Sequence, residues 1–385
     1  MIFTKNIGVF YQHLPPDPFG TSLRGKAFIE AFSNNSFNLD VFTTTYPTTI
    51  SVNNINLKVH KSFLNARSSS TLVRLFSELV LGISFFFKIL FSKKYDLFVV
   101  SSPSYIASIC IVVSLWIRRT NYIYDVRDIY PEALSYSGVL RDGSMAYRLF
   151  TRITKCIYKK SFMVLAATQG LKNKISQTEP SCQVLLAYNG FPMDFLNIKI
   201  TKFKRFTLCF HGTLGYFQDI ELLIRLAREV DSFGIDIIVI GNGRKRFLFD
   251  SSLPSNLTYM GGMSSNETIN LVSRCHVGLC FRTNDPLSID SFPIKAWEYL
   301  GLGLPSLITP ISEAGSFMVD RGCGFQFTGE HIQPIVSKII AMSDDDTLYS
   351  QMVDNLIKVR KEFTRENLAH FAVKTIFHKL ESGFQ

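Results

Sequence analysis

Two doubly wound α/β domains in series are what this sequence predicts, on three observations. Short apolar or β-branched runs alternate with longer amphipathic ones. The alternation occurs twice. A basic, turn-rich connection, YNGFPMDFLNIKITKFKRF (188–206), separates the two rounds. Alternating strands and helices argue for parallel sheets covered by helices, and 385 residues are enough for two domains with full cores.

In the first round the strands are read at NIGVF (6–10), LDVFTT (39–44), DLFVVS (96–101), YIYDV (122–126) and FMVLAAT (162–168). In the second they are TLCFHG (207–212), DIIVIG (236–241), LTYMG (257–261), VGLCF (277–281) and PSLIT (305–309). Helical patterns lie between them, as in DIELLIRLAREV (219–230). The chain closes on a helix over ENLAHFAVKTIFHKL, after a break near Lys361–Thr364. The domains predicted are 1–190, 191–363 and a final helical segment 364–385. Doubly wound sheets take ligands at the carboxyl ends of their strands, so a cleft faced by both domains is the expected site.

Composition narrows the function classes. Hydrophobic residues make up 46% and charged ones 19%, which excludes a disordered chain. Seven cysteines form no CxxC pair or metal spacing, and Cys275 and Cys280 sit in an apolar stretch as buried thiols. That usage suits a reducing cytoplasm. The N-terminus MIFTKNIGVFYQHLPP does not read as a signal peptide. The longest apolar runs, LVLGISFFFKILF (79–91) and YIASICIVVSLWI (105–117), fall short of the roughly 20 residues that span a bilayer. Residues 1–190 carry 21 Lys and Arg against 10 Asp and Glu, a net of +11, whereas residues 191–385 carry 20 against 21. The excess points to an anionic surface or partner for the first domain, or to a basic solvated face.

Four segments carry candidate chemistry. In DSFPIKAWEYLGLGLP (290–305), Pro293 fits the first helical position with Phe292 or Ser291 as cap. The free amides of that turn then suit a phosphate. Lys295 and Glu298, three apart, share a helix face. Lys295 is placed to neutralise phosphate, Glu298 to accept from a ribose diol, and Asp290 to hold sugar hydroxyls. In isolation the pattern also fits an ordinary helix with a surface acid–base pair. In FHGTLGYFQDIELLI (210–224), Gly212 and Gly215 allow close backbone approach to a diphosphate ahead of a helix start, or form a plain strand–helix turn. DIIVIGNGRKRFL (236–248) repeats strand and Gly-x-Gly, with Gly241 first. Arg246 stands where a dinucleotide fingerprint has its third glycine, which argues against a dehydrogenase. NYIYDVRDIYPEAL (121–134) gathers Asp125, Arg127, Asp128 and Glu132 at a strand's end, either as a functional group or with Asp125 and Arg127 as a buried ion pair.

In order and spacing these segments resemble the GT-B glycosyltransferases of family 4, in particular the bacterial branch that builds O-antigen, capsule and exopolysaccharide. The resemblance runs from the loop HLPPDPFGTSLRGKAFIEAF (13–32) through DVRDIYPE, HGTLG and GNG to the D-x7-E pattern and EYLGLGLPSLI. It implies two Rossmann-like domains facing a central cleft, with the final helix crossing back to the first. It further implies retaining transfer of a sugar from a nucleotide diphosphate, without a cofactor or bound metal. Asp290 matches the family's first glutamate, which acts on the donor sugar, and Glu298 the second, which acts on the ribose. Thr213 and Gln218 stand where many members have Arg and Lys. Counter-charge then falls to Lys295, the helix N-terminus, and Arg246 or Arg282. Arg127 beside Asp128 stands where other members have a histidine facing the acceptor, and Phe19–Gly20 replaces a glycine pair. The implied catalytic set is Arg127, Asp128 and Asp290. The implied donor set is Gly20, Gly212, Thr213, Gly215, Gln218, Gly241, Arg246, Arg282, Phe292, Pro293, Ile294, Lys295 and Glu298.

In this branch the acceptor is usually a sugar or oligosaccharide on a polyprenyl diphosphate. Arg148, Arg152, Lys155 and Lys159 form a stripe at helical spacing in AYRLFTRITKCIYKK (146–160). Together with VLGISFFFKILFSKK (80–94) they suit an anionic membrane surface, or else a solvated face and a core helix. The expected location is cytoplasmic and peripheral on the inner face of the plasma membrane, with no nucleic-acid partner. The expected donor is a UDP-hexosamine or UDP-deoxyhexosamine. A GDP-sugar transferase, a sugar-nucleotide 2-epimerase of the same fold and a non-catalytic nucleotide-sugar-binding protein stand as alternatives.

Overall fold

The computed structural model describes residues 5–16, 20–34, 37–44, 57–61, 71–136, 138–199 and 201–382. The chain divides into two compact units: Met1–Tyr188 with Glu366–Gln385, and Asn189–Arg365.

Unit 1 is built on β1 (Asn6–Phe10), β2 (Asn38–Thr43), β3 (Leu57–Lys61), β4 (Leu97–Ser101), β5 (Tyr122–Val126), β6 (Met163–Ala166) and β7 (Val184–Leu186). They form one sheet in the order β3-β2-β1-β4-β5-β6-β7, with every neighbouring pair parallel. The period of two sorts side chains onto both faces. Ile7, Val9 and Val99 join Phe28, Phe32 and Ile123 in one core, while Phe10, Phe98 and Val100 join Phe42, Phe85 and Ile111 in the other. Burying each such side chain contributes roughly 1.5–3 kcal/mol. The final helix, Arg365–Ser382, places Ala369, Val373 and Ile376 in the first of these cores.

Unit 2 is built on β8 (Thr207–His211), β9 (Asp236–Ile240), β10 (Leu257–Tyr259), β11 (Val277–Phe281), β12 (Ser306–Thr309) and β13 (Gly324–Gln326). Its order is β10-β9-β8-β11-β12-β13, again parallel at every pair. In each sheet the order reverses once, between β1 and β4 and between β8 and β11. Those are the topological switch points at which an open α/β sheet parts its loops and leaves a crevice.

All ten strands read from sequence are present. The three not read, β3, β7 and β13, are sheet edges. An edge strand needs no continuous apolar run, and β3 (LKVHK) has none.

Two features of unit 1 correct or refine the sequence reading. Asp125 does not pair with Arg127; its partner is Arg24, whose Nη2 lies 2.7 Å from Asp125 Oδ1, with the side chains 2% and 0% exposed. Tyr11 donates its hydroxyl to Asp125 Oδ2 at 3.0 Å, and Arg24 Nη1 donates to the Ala187 carbonyl at 2.7 Å. The helix Thr71–Leu90 is apolar on two opposite faces. Leu81, Phe85 and Ile89 are in the core, whereas Val73, Phe76, Leu79, Ile83, Phe87 and, just beyond it, Phe91 are exposed. Arg148, Arg152, Lys155 and Lys159 are all exposed on the helix Met145–Lys160. Among the described residues no helix is long and apolar enough to cross a membrane.

Candidate functional site

At the switch point of unit 2, β8 ends on His211 and β11 is followed by Arg282, and the two segments are joined by a bridge between Gln218 and Arg282. The turn between β8 and the helix Ile220–Val230 is anchored by buried Leu214, whose N–H donates to the Asn242 carbonyl at 2.9 Å, and it leaves Gly212 and Thr213 exposed. Asp219 then caps the helix through a 2.9 Å bond from the Leu222 N–H. Gly212 and Gly241 both have positive φ, +113° and +151°. A Cβ on Gly241 would lie 1.9 Å from the Gly212 carbonyl oxygen, so glycine is what lets these two turns meet.

The helix Ile294–Leu302 begins one residue later than its sequence suggests. Pro293 is the cap, with ψ 141°, and not the first helical residue. Its ring offers no acceptor, so the cap makes no side-chain bond to the first turn; its carbonyl accepts from the Ala296 N–H at 3.0 Å. Ser291 Oγ is otherwise used: it donates to the Ser288 carbonyl and accepts from Arg282 Nη1. Phe292 stacks on Trp297 at 3.8 Å between ring centroids, holding the approach to the helix, while Ile294 is exposed.

Lys295 is 8% exposed. Its Nζ donates to Gln218 Oε1 at 2.9 Å and lies 3.6 Å from the centroid of the Phe210 ring. Both groups are neutral, so the ammonium's full charge is not met by them. Burial draws its pKa down to about 8, helped by Arg282 and opposed by Cys280 and Glu298. A Cβ on Gly212 would come within 3.7 Å of this Nζ, which places the ammonium beside the exposed turn.

One helical turn on, Glu298 Oε2 lies 3.4 Å from His211 Nε2, without the alignment of a hydrogen bond. Burial pushes the Glu298 carboxyl up to about 7, against the pull of Arg365 and Lys295. Burial and the Lys295 charge hold His211 down at about 3, so its ring is neutral at physiological pH. His211 was not singled out in the sequence, although its place at a strand end before a glycine was a signal.

The remaining unit 2 candidates divide. Gln218 is drawn in by Lys295, and the half-buried Arg282 keeps a buried Nε without a partner. Gly215 lies in the exposed turn region next to Tyr216. Asp290 is half-buried at the end of the short helix Pro286–Ile289. In the 3-10 turn Arg244–Phe249, Arg246 is exposed and it is Lys245 that reaches the turn, donating to the Gln218 carbonyl at 2.9 Å and to Glu221 Oε2 at 2.8 Å. Arg244 Nη1 donates to the Tyr216 hydroxyl at 2.7 Å. Neither Lys245 nor Arg244 was read as a site residue, because spacing from the glycines does not show which side chain a 3-10 turn directs back.

In unit 1, Arg127 follows β5 and its N–H donates to Ser102 Oγ at 3.2 Å. Its Nε and Nη1 are buried without partners, and burial lowers its pKa, reinforced by Arg24. Asp128 is exposed. Gly20 begins the helix Gly20–Ser33, and residues 17–19 of the preceding loop, Phe19 included, lie outside the described residues. Among the described residues no three His, Cys, Asp or Glu side chains are grouped to hold a metal ion.

No protein-family model matches the chain. The chain is 26% identical over 209 residues to the probable glycosyltransferase WbjE of Pseudomonas aeruginosa, a match covering 50% of this chain and 51% of that relative. The match thus spans about half the length of the curated relative. Anabaena Alr3699/HepE, solved in complex with UDP and glucose, is similar with a TM-score of 0.68 at 14% identity, over 97% of this chain and 100% of that one. Sucrose-phosphate synthase from Thermosynechococcus elongatus is similar with a TM-score of 0.71 at 13% identity, over 98% and 100%. The chain therefore has the α/β fold of the GT-B glycosyltransferase structures, built on two Rossmann-like parallel sheets.

Proposed function

We propose that this protein is a retaining glycosyltransferase of the family 4 kind. It moves a sugar, a hexosamine or deoxyhexosamine, from UDP to a lipid-linked or oligosaccharide acceptor in bacterial surface polysaccharide synthesis. One observation carries the reading: the enclosed ammonium of Lys295 has neutral partners, at the start of a helix without a side-chain cap and beside an exposed glycine turn. A diphosphate supplies the charge that this arrangement lacks. The similarity to WbjE and to a UDP complex supports the same class of ligand.

In this reading Lys295, the turn amides and Arg282 hold the diphosphate, Glu298 accepts from the ribose diol and Asp290 meets the donor sugar. As the anomeric C–O bond breaks, its electron pair leaves with the nucleoside diphosphate. Fixed donors aimed at that growing charge lower the barrier without a metal. The acceptor oxygen bonds to the anomeric carbon from the leaving-group side, and its proton passes to a phosphate oxygen. Arg127 and Asp128 serve the acceptor. The exposed apolar stripe from Val73 to Phe91 and the basic stripe Arg148, Arg152, Lys155 and Lys159 support docking on the inner face of the plasma membrane.

A panel of sugar nucleotides screened for thermal stabilisation identifies the donor. Glu298→Ala then weakens UDP binding roughly tenfold, the worth of a hydrogen bond to a charged group. Unchanged affinity by calorimetry removes Glu298 from the ribose and, with an equally unchanged Lys295→Met variant, removes the reading. Arg127→Ala reduces transfer by about tenfold or more while leaving donor affinity within about twofold. Equal losses in both measurements would argue against acceptor-side work.

A further inference from the structure

At the β8/β11 switch point of unit 2, two polar side chains stand against each other and are not hydrogen-bonded. His211 closes β8, held by its pairing with Ile240 and by the Tyr299 ring, which meets the imidazole edge-on at 5.1 Å and 84°. Tyr299 is itself fixed, its hydroxyl lying between the Cys209 and Leu279 carbonyls at 3.3 and 3.2 Å. His211 Nε2 is enclosed without a hydrogen-bond partner, in a residue 5% exposed. Glu298 Oε2 lies 3.4 Å from it, on a side chain that is 22% exposed. The carboxylate thus faces the imidazole and still reaches solvent. A neutral imidazole carries one N–H. With that proton on Nδ1, the Nε2 lone pair would face an ionised carboxylate and repel it; with the proton on Nε2, the ring donates. The terminal torsions of both side chains are broad, so a small rotation supplies the alignment that the pair lacks. Burial disfavours the ionised form of Glu298, while Arg365, at the start of the final helix, and Lys295, one turn earlier on its own helix, favour it. Their charge sets how often the carboxylate is ionised, whereas a hydrogen bond sets where its oxygens point.

We infer that His211 is a positioning residue: its Nε2–H donates to Glu298 Oε2, which steadies the carboxylate and leaves Oε1 to accept from a diol of the ligand. That the diol is the ribose of a nucleotide rests on the proposed function; the donation from His211 does not.

The test is calorimetric titration of the full chain with UDP, with its dideoxyribose analogue, which lacks the diol, and with inorganic pyrophosphate. Wild type prefers UDP to the analogue by about tenfold or more. His211→Phe keeps an aromatic ring against Tyr299 but has no donor. It shrinks that preference by about threefold or more and leaves pyrophosphate affinity within about twofold. A role confined to packing would weaken UDP and pyrophosphate alike. His211→Gln, whose amide nitrogen takes the place of Nε2, regains most of the preference. The low-pH limb of UDP binding also moves to higher pH in His211→Phe, because a carboxylate that loses a donor takes up its proton sooner as pH falls. An equal preference in wild type and His211→Phe overturns the inference. If UDP does not bind, or binds no better than its analogue, the proposed function fails separately. In that case, or if His211→Phe does not fold, the tautomer of His211 in the free wild type decides. It is read from the nitrogen NMR shifts of its imidazole, assigned by their absence from His211→Gln, at about pH 8, where Glu298 is mostly ionised. Nε2–H is expected there, and Nδ1–H overturns the inference.

Discussion

Lys295→Met is expected to weaken UDP binding by roughly one to two orders of magnitude, because it removes a charge-assisted contact worth about 1.5–3 kcal/mol. The same change is expected to raise the melting temperature. With its pKa drawn from 10.5 to about 8, the folded protein carries an enclosed charge at neutral pH that methionine does not. The sign follows from the direction of the shift. A lysine whose folded pKa is depressed destabilises below that pKa, and stability is regained as pH rises from about 8 towards 10.5. Loss of nucleotide together with gain of stability separates a ligand-binding residue from a structural one.

Binding has its own pH profile. Above about 8 wild-type affinity falls as Lys295 loses its proton, a limb that Lys295→Met lacks. Below about 7 it falls as Glu298 is protonated and ceases to accept fully from the ribose, a limb that Glu298→Ala lacks. Calorimetric UDP titrations between pH 6 and about 9 read both limbs. A flat profile in wild type, or wild-type affinity in Lys295→Met, would remove the ammonium from the diphosphate.

Asp125→Ala carries the largest expected effect on stability, a loss of about 3–5 kcal/mol. Arg24 is 1% exposed and Asp125 is the carboxylate it pairs with. Deleting that carboxylate leaves a guanidinium in the core of unit 1 and strips the Tyr11 hydroxyl of its acceptor. The pair also joins the helix Gly20–Ser33 to β5 and, through Ala187, to the segment after β7. Urea denaturation checks the prediction. A double variant with Arg24→Met recovers much of the loss, since the cost lies in the unpaired charge and less in the missing bond. A single-variant loss below about 1 kcal/mol would mean that solvent reaches Arg24.

Periodicity and spacing were sufficient for the two parallel α/β units, ten of the strands, among them the edge strand β10, and the Lys295–Glu298 face. All of these depend on neighbours close along the chain: alternation in a strand, three-residue spacing on a helix, glycine in a turn. Folding in three dimensions decided the rest. Asp125 chose Arg24, 101 residues away, over Arg127 two residues away, which leaves Arg127 with unspent donors. Lys245 and not Arg246 turned back to Gln218, and His211 was set against Glu298 by the pairing of separate strands and helices. β3, β7 and β13 are held at the sheet edges by pairing with one neighbour each. Charge pairing, burial and side-chain direction depend on distances through space between segments far apart in sequence, and local pattern carries no record of those distances.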